Sequence, residues 1–318
     1  MKRSAAAFFA AMALCALAGC GAVPATPETA AGGAAPETAV PRGDLGAAAL
    51  REASAFAALG PKAAGTPEGR AAADWIAARL ATAGVAAETV PFEDATPAGT
   101  LEFRNVVARL PGAGDGIVVL GAHFDTKTGI EGFVGANDSG SGTGLLLALA
   151  PVLAAWRDRP FEVRLAFFDG EECQVQYGSG DGLHGSRRMA QSLAESGEAV
   201  RVAVMLLADM VGDASLDVRI PRNGDPDWTR RILRAAEAEG VRRHFGLAAG
   251  GGTVLDDHLP FLQQGIPAVD LIDFTYGSAP GKNDYWHTAA DTPDKLSADS
   301  LDMVGRVILR ALRDFAAE

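Results

Sequence analysis

The chain has 318 residues, 48% of them hydrophobic and 21% charged, a globular composition long enough for a large core. A formal charge of −12 at pH 7 argues against nucleic acid or an anionic membrane surface as a partner. The acidic residues form no long block, so they do not build a disordered acidic tail.

Lys2 and Arg3 precede an apolar stretch from Ala5 to Leu17 that is too short for a comfortable membrane span. The following Leu17-Ala18-Gly19-Cys20 resembles a bacterial lipoprotein signal, which implies a leader over residues 1–19 and a lipid anchor on Cys20. An ordinary secretory leader cut near Ala18 or Ala22 is the alternative. The expected product is an exported, membrane-anchored protein at the periplasmic face or cell surface. Residues 20–43, rich in Ala, Pro, Thr, Glu and Gly, read as a flexible tether. Residues 44–318 read as one domain. Cys173 is the only cysteine there, so no intrachain disulfide can form in it.

Within the domain, the spacing predicts a helix from Asp44 to Leu59 and another opened by Thr66 and Pro67 and stopped at Gly84. Residues 85–92 and 101–110 alternate as an antiparallel edge pair. Ile117–Ala122, Val163–Phe168, Val202–Ala208 and Pro267–Ile272 read as buried strands. Helices are expected over 140–153 with Ser139 as cap, and over 186–194, 228–239, 257–264 and 298–315. Strands alternating with helices predict an α/β fold, a three-layer α/β/α sandwich around a mixed, mainly parallel sheet. Ligands in such sheets sit beyond the carboxyl ends of the strands.

Ligand-type residues gather at those ends. Strand 163–168 runs into Asp169-Gly170-Glu171-Glu172, where a turn signal is followed by adjacent carboxylates. Such a pair is tolerable if a cation lies between the acids or one takes a proton. The other strands deliver His123-Phe124-Asp125 and Asp209, Asp138 precedes a helix, and Trp286-His287 follows the last strand. Two of the chain's five histidines stand at these positions. Carboxylates with imidazoles and no thiolate set suit zinc with room for water or substrate. Gly180 to Gly185 spells G-x-G-x-x-G but does not follow a strand directly, so it does not read as a dinucleotide site. Gly140-Ser141-Gly142-Thr143-Gly144 lacks a Walker lysine and reads as a helix start packed close to the sheet.

Taken in order, His123-x-Asp125, Asp138-Ser139, Glu171-Glu172, Asp209-Met210-x-Gly212, Asp257-His258 and Trp286-His287-Thr288 resemble the zinc aminopeptidase and glutaminyl-peptide cyclotransferase family. The resemblance implies action on peptide or protein N-termini. In the cyclase branch it implies one zinc held by Asp138, Glu172 and His287, with Glu171 moving a proton and Asp209 and Asp256 forming an acidic pair near the leaving group. In the aminopeptidase branch it implies a second zinc on His123 and Asp209, bridged by Asp138, with Glu171 activating water. Asp125 would orient His123. Lys127, Trp286 and the doubled acid Asp256-Asp257 favour the cyclase. The branch's tryptophan after the glutamate pair is absent here, and Tyr177 stands loosely in its place. Tyr177, Tyr276, Trp286 and Lys127 are the expected pocket residues.

Overall fold

A computed structural model describes residues 44–178 and 180–318, so the expected leader, Cys20 and the whole tether lie outside the described residues. The chain opens with α1 (Asp44–Ala57) and α2 (Pro67–Thr82), then the hairpin β1 (Ala87–Thr96) and β2 (Gly99–Leu110). Next come β3 (Gly116–His123), α3 (Gly140–Ala155), β4 (Phe161–Phe168), α4 (His184–Glu195) and β5 (Val202–Asp209). The order then runs β6 (Val218–Ile220), α5 (Pro226–Ala238), β7 (Phe245–Leu247), α6 (His258–Gln263), β8 (Ala268–Ile272) and α7 (Ala298–Ala316).

Six strands form one sheet in the order β1-β2-β4-β3-β5-β8. The strands β4, β3, β5 and β8 are mutually parallel, and the β1–β2 hairpin adds antiparallel at one edge, as its alternating pattern predicts. The central strands bury both faces, with period two. Val118, Leu120, Val204 and Leu206 join the core beneath α1, α3 and α7, whereas Ile117, Val119, Met205 and Leu207 join the one beneath α4 and α6.

Three local expectations change. The first hairpin strand starts two residues later than expected and runs to Thr96, because the turn forms where Gly99 adopts φ 112°. Ser139 makes no capping bond. The entry to α3 is held instead by Ser141, whose hydroxyl donates to the Asn137 carbonyl (2.6 Å) and accepts from the Val211 N–H (3.0 Å). The β6–β7 pair was not expected, since three-residue strands carry too little periodicity to register. The glycine-rich start of α3 does lie close to the sheet: a Cβ on Gly142 would stand 2.1 Å from the Ala208 carbonyl oxygen.

Candidate metal centre

The parallel strands end on one side of the sheet, and each delivers a side chain. His123 is the last residue of β3 and Asp209 the last of β5, while Glu171 and Glu172 follow the turn after β4. Asp138 comes from the β3–α3 connection and His287 from the long segment after β8. His123 Nε2 lies 3.2 Å from Asp138 Oδ1 and 3.3 Å from Asp209 Oδ1. His287 Nε2 lies 3.3 Å from Asp138 Oδ2 and 2.9 Å from Glu172 Oε1. Two triads therefore share Asp138: His123, Asp138 and Asp209 on one side, Asp138, Glu172 and His287 on the other.

These residues fit a metal. Tetrahedral ligands at zinc's ordinary bond lengths stand about 3.3 Å apart, which is the separation seen between ligand atoms. Both His123 ring nitrogens, Asp138 Oδ2 and Asp209 Oδ1 are buried with no hydrogen-bond partner. Burial alone would lower both histidines, yet the surrounding carboxylates outweigh it and pull His123 well above its ordinary pKa and His287 up to about 9. Burial would raise Asp138, but the two imidazoles hold it low. The cluster thus demands positive charge, which an ion can supply in place of protons.

Side chains around the triads hold them in position. Asp125 accepts the Glu171 and Glu172 N–H groups at 3.0 and 3.2 Å and lies 3.5 Å from His123 Nδ1. It therefore braces the glutamate turn and stands beside the imidazole, without a hydrogen bond to it. Asp291, which carried no signal in the sequence beyond a polar loop position, is fully buried. It accepts the N–H groups of Asn137 (2.8 Å) and Asp138 (3.1 Å) and the Tyr276 hydroxyl (2.6 Å). Lys62, also overlooked, is buried beside it and donates to the Gly60 and Val134 carbonyls, both at 2.8 Å. Burial lowers Lys62 to about 8, opposed by Asp291, Asp125 and Asp138. Met210 and His287 adopt left-handed backbone conformations (φ 49° and 53°), a strain of roughly 1–3 kcal/mol each that gathers at functional sites.

A cavity of about 260 Å³ opens over the triads, lined among others by Asp138, Glu171, Glu172, Tyr177, Asp209, Asp256, Trp286 and His287. Glu171 is buried; burial, then the Glu172 charge, raises its pKa well above the ordinary value. The Tyr177 hydroxyl lies 3.1 and 3.2 Å from the two Glu171 oxygens, so it can donate its one proton there. Trp286 stacks on the His287 ring with centroids 4.0 Å apart. Asp256 keeps Oδ2 without a partner, and burial, then Asp270, raises its pKa well above normal.

Two expected pocket residues do other work. Tyr276 is fully buried and spends its hydroxyl on Asp291, so it supports the Asp138 segment rather than lining the cavity. Lys127 is not among the cavity's lining residues. Its ammonium donates to the Cys173 carbonyl (2.5 Å) and thiol (2.9 Å) and stands 3.5 Å from Glu172 Oε2. Asp270 was also missed, although an acid inside the apolar run Ala268–Ile272 is a visible anomaly. It faces His258, the first residue of α6, and both are fully buried.

Comparison with known proteins adds a second line of observation. A model described as peptidase family M28 matches residues 105–312. The chain is 34% identical over 263 residues to a glutaminyl-peptide cyclotransferase-like protein of Mus musculus. That match covers 74% of this chain and 66% of the mouse protein, just under two thirds of its length. A glutaminyl cyclase from an Acidobacteriales bacterium superposes with TM-score 0.81 at 35% identity, covering 89% of this chain and 99% of that one. A leucine aminopeptidase precursor from Bacteroides thetaiotaomicron superposes with TM-score 0.74 at 24% identity, covering 86% and 98%, a likeness of fold alone.

Proposed function

The chain belongs to peptidase family M28, and from that premise we propose that it is a zinc-dependent glutaminyl cyclase that closes N-terminal glutamine into pyroglutamate with release of ammonia. The observation that carries this reading is the 35% identity, over 89% of the chain, to the Acidobacteriales glutaminyl cyclase. The aminopeptidase neighbour, at 24%, speaks only for the shared architecture.

Asp138, Glu172 and His287 would hold the ion, whose chemistry when bound is to polarise the substrate's γ-amide carbonyl. The remaining steps belong to side chains. The acid-lined cavity draws in the cationic N-terminus. The terminal amine attacks in its neutral form: its nitrogen bonds to the carbonyl carbon of the side-chain amide (Cδ), and Glu171 takes the proton that this nitrogen loses. Glu171 then returns that proton to the amide nitrogen, the C–N bond breaks, and ammonia leaves. Burial and the neighbouring Glu172 charge favour its protonated form, which helps it hold the proton between taking it and giving it back. Asp209 and Asp256 sit beside it as acceptors for the departing N–H groups.

A second reading has its own support. His123 and Asp209 complete a second triad through Asp138, the arrangement a two-zinc aminopeptidase would need. One experiment separates the two. Purified protein should release ammonia from Gln-initiated peptides and contain about one zinc, rather than release amino acids from Leu- or Ala-initiated peptides with about two. Hydrolysis without cyclisation would overturn the cyclase.

The proposed location rests on Leu17-Ala18-Gly19-Cys20 alone. Full-length protein should fractionate with bacterial membranes and Cys20→Ser should be released; a wild-type chain found free of membranes would remove the anchor from the reading.

A further inference from the structure

Of the two tyrosines expected in the pocket, Tyr177 is the one that lines the cavity. Its hydroxyl lies 3.1 and 3.2 Å from the two Glu171 oxygens and 3.4 Å from Glu172 Oε2. A phenol has one proton to donate. Glu172 is the poorer claimant to it: its Oε2 is the most distant of the three acceptors and already faces the Lys127 ammonium at 3.5 Å. The proton therefore goes to Glu171, and a bond from a hydroxyl to a carboxylate is among the stronger ones a neutral side chain makes.

The ring that carries this hydroxyl is fixed by its neighbours. Gly182 stands against it with φ 81°, a conformation that favours glycine, and a Cβ there would lie 2.6 Å from Tyr177 Cδ1. The same Cβ would lie 2.9 Å from the Glu171 carbonyl oxygen, so one small residue admits both the ring and the backbone of the acid. Lys127 Nζ stands 5.5 Å from the ring centroid, within reach of a cation–π contact. Gly178, next in the chain, donates its N–H to the Asp181 carbonyl (3.0 Å), and its own carbonyl accepts from Arg187 (3.1 Å).

The last torsion of a glutamate is broad, so an unheld carboxylate offers its lone pairs in many directions. A donor fixed at its oxygens selects one orientation and leaves the remaining lone pairs for the substrate. We propose that Tyr177 is a positioning residue, whose hydroxyl holds the Glu171 carboxylate in the orientation that meets the substrate's terminal amine. One loop, from Glu171 to Gly182, thus carries the proton-moving acid together with the group that aims it. This inference rests on Glu171 being that acid, as proposed above.

A double-mutant cycle in full-length, zinc-loaded protein tests it. Wild type, Tyr177→Phe, Glu171→Gln and the double variant would be assayed on a Gln-Ala amide, with the uncatalysed rate subtracted. Tyr177→Phe keeps the ring against Gly182 and removes only the hydroxyl. Its kcat should fall about ten- to hundredfold, the loss of one hydrogen bond to a charged group, while KM and zinc content stay unchanged. In the Glu171→Gln background the same change should cost no more than about twofold, because no base is left to aim. An unchanged kcat in Tyr177→Phe, or an equal loss in both backgrounds, overturns the assignment. Loss of zinc from Tyr177→Phe also overturns it, by giving the hydroxyl to Glu172. If the wild type hydrolyses a Leu-initiated peptide and forms no pyroglutamate, the cyclase reading fails, and the same cycle run on hydrolysis decides the role of Tyr177. A wild type that performs neither reaction overturns both.

Discussion

Glu171 and Glu172 are chain neighbours with opposite surroundings. Glu172 Oε1 faces His287 at 2.9 Å and its other oxygen faces Lys127 at 3.5 Å, so cationic and ligating groups surround it. Glu171 faces the cavity and accepts from the Tyr177 hydroxyl, which also lies 3.4 Å from Glu172 Oε2. Glu171→Gln should therefore lower turnover about 10²–10⁴-fold while zinc content stays unchanged, and Glu172→Gln should lose zinc. Elemental analysis beside the ammonia assay reads both, and metal loss from the Glu171 variant would exchange the two roles. His258 gives a pH prediction. Burial lowers its pKa to about 4, against about 6.5 when unfolded. Between those values the unfolded chain binds the extra proton, so this stabilisation is complete above pH 6.5 and is lost as pH falls towards 4. In denaturant titrations His258→Gln should remove up to about 1.4 kcal/mol per pH unit of that slope. Equal slopes for both proteins below pH 6.5 would count against a buried neutral imidazole.

At the scale of the element, the loop between β4 and α4 shows how a motif can mislead and still matter. Its G-x-G-x-x-G spelling binds no nucleotide in the proposed reaction, yet Asp181 within it organises the substrate side of the site. That carboxylate accepts the N–H groups of Gln174 (2.5 Å), Val175 (2.8 Å) and Gln176 (2.8 Å), fixing the turn that presents Tyr177. Burial alone would raise Asp181, but these three donors outweigh it and lower its pKa. Asp181→Asn weakens charge-assisted bonds worth about 1.5–3 kcal/mol each. KM should rise and kcat fall with zinc retained, and loss of zinc instead would show that the loop supports the metal rather than the substrate. The core strands were legible as short continuous apolar runs, the edge pair by its alternation, and the long helices by a period of about 3.6 residues. The β6–β7 pair and the true entry to α3 were not, since one is too short to repeat and the other depends on Asn137 and Ser141 meeting partners far along the chain.

For the whole molecule, one consequence dominates: the sheet order β1-β2-β4-β3-β5-β8 sets three parallel strand ends side by side and aims their carboxylates at one point. Without an ion, Asp138, Glu172 and Asp209 repel one another in a buried space. Chelation should therefore lower the melting temperature as well as abolish activity. An ion at a hundred times its Kd adds about 2.7 kcal/mol, or several degrees for a domain of this size. Scanning calorimetry with and without EDTA, followed by zinc, measures it; a melting curve indifferent to both would argue that protons, not a metal, neutralise the cluster.

What the chain determines by itself is whatever local chemistry can encode: continuous apolar runs in the buried strands, alternation in the edge pair, the Thr66 cap, and acids and histidines placed just past strand ends. Those features were enough to name His123, Asp138, Glu171, Glu172, Asp209 and His287 as partners. Only the tertiary structure decided that Tyr276 turns inward to Asp291, that Lys127 braces Cys173, and that Leu255 and Phe274 line the same cavity. Strand order and loop path decide such meetings, and a periodic pattern along one segment carries no information about which distant segment will lie across from it.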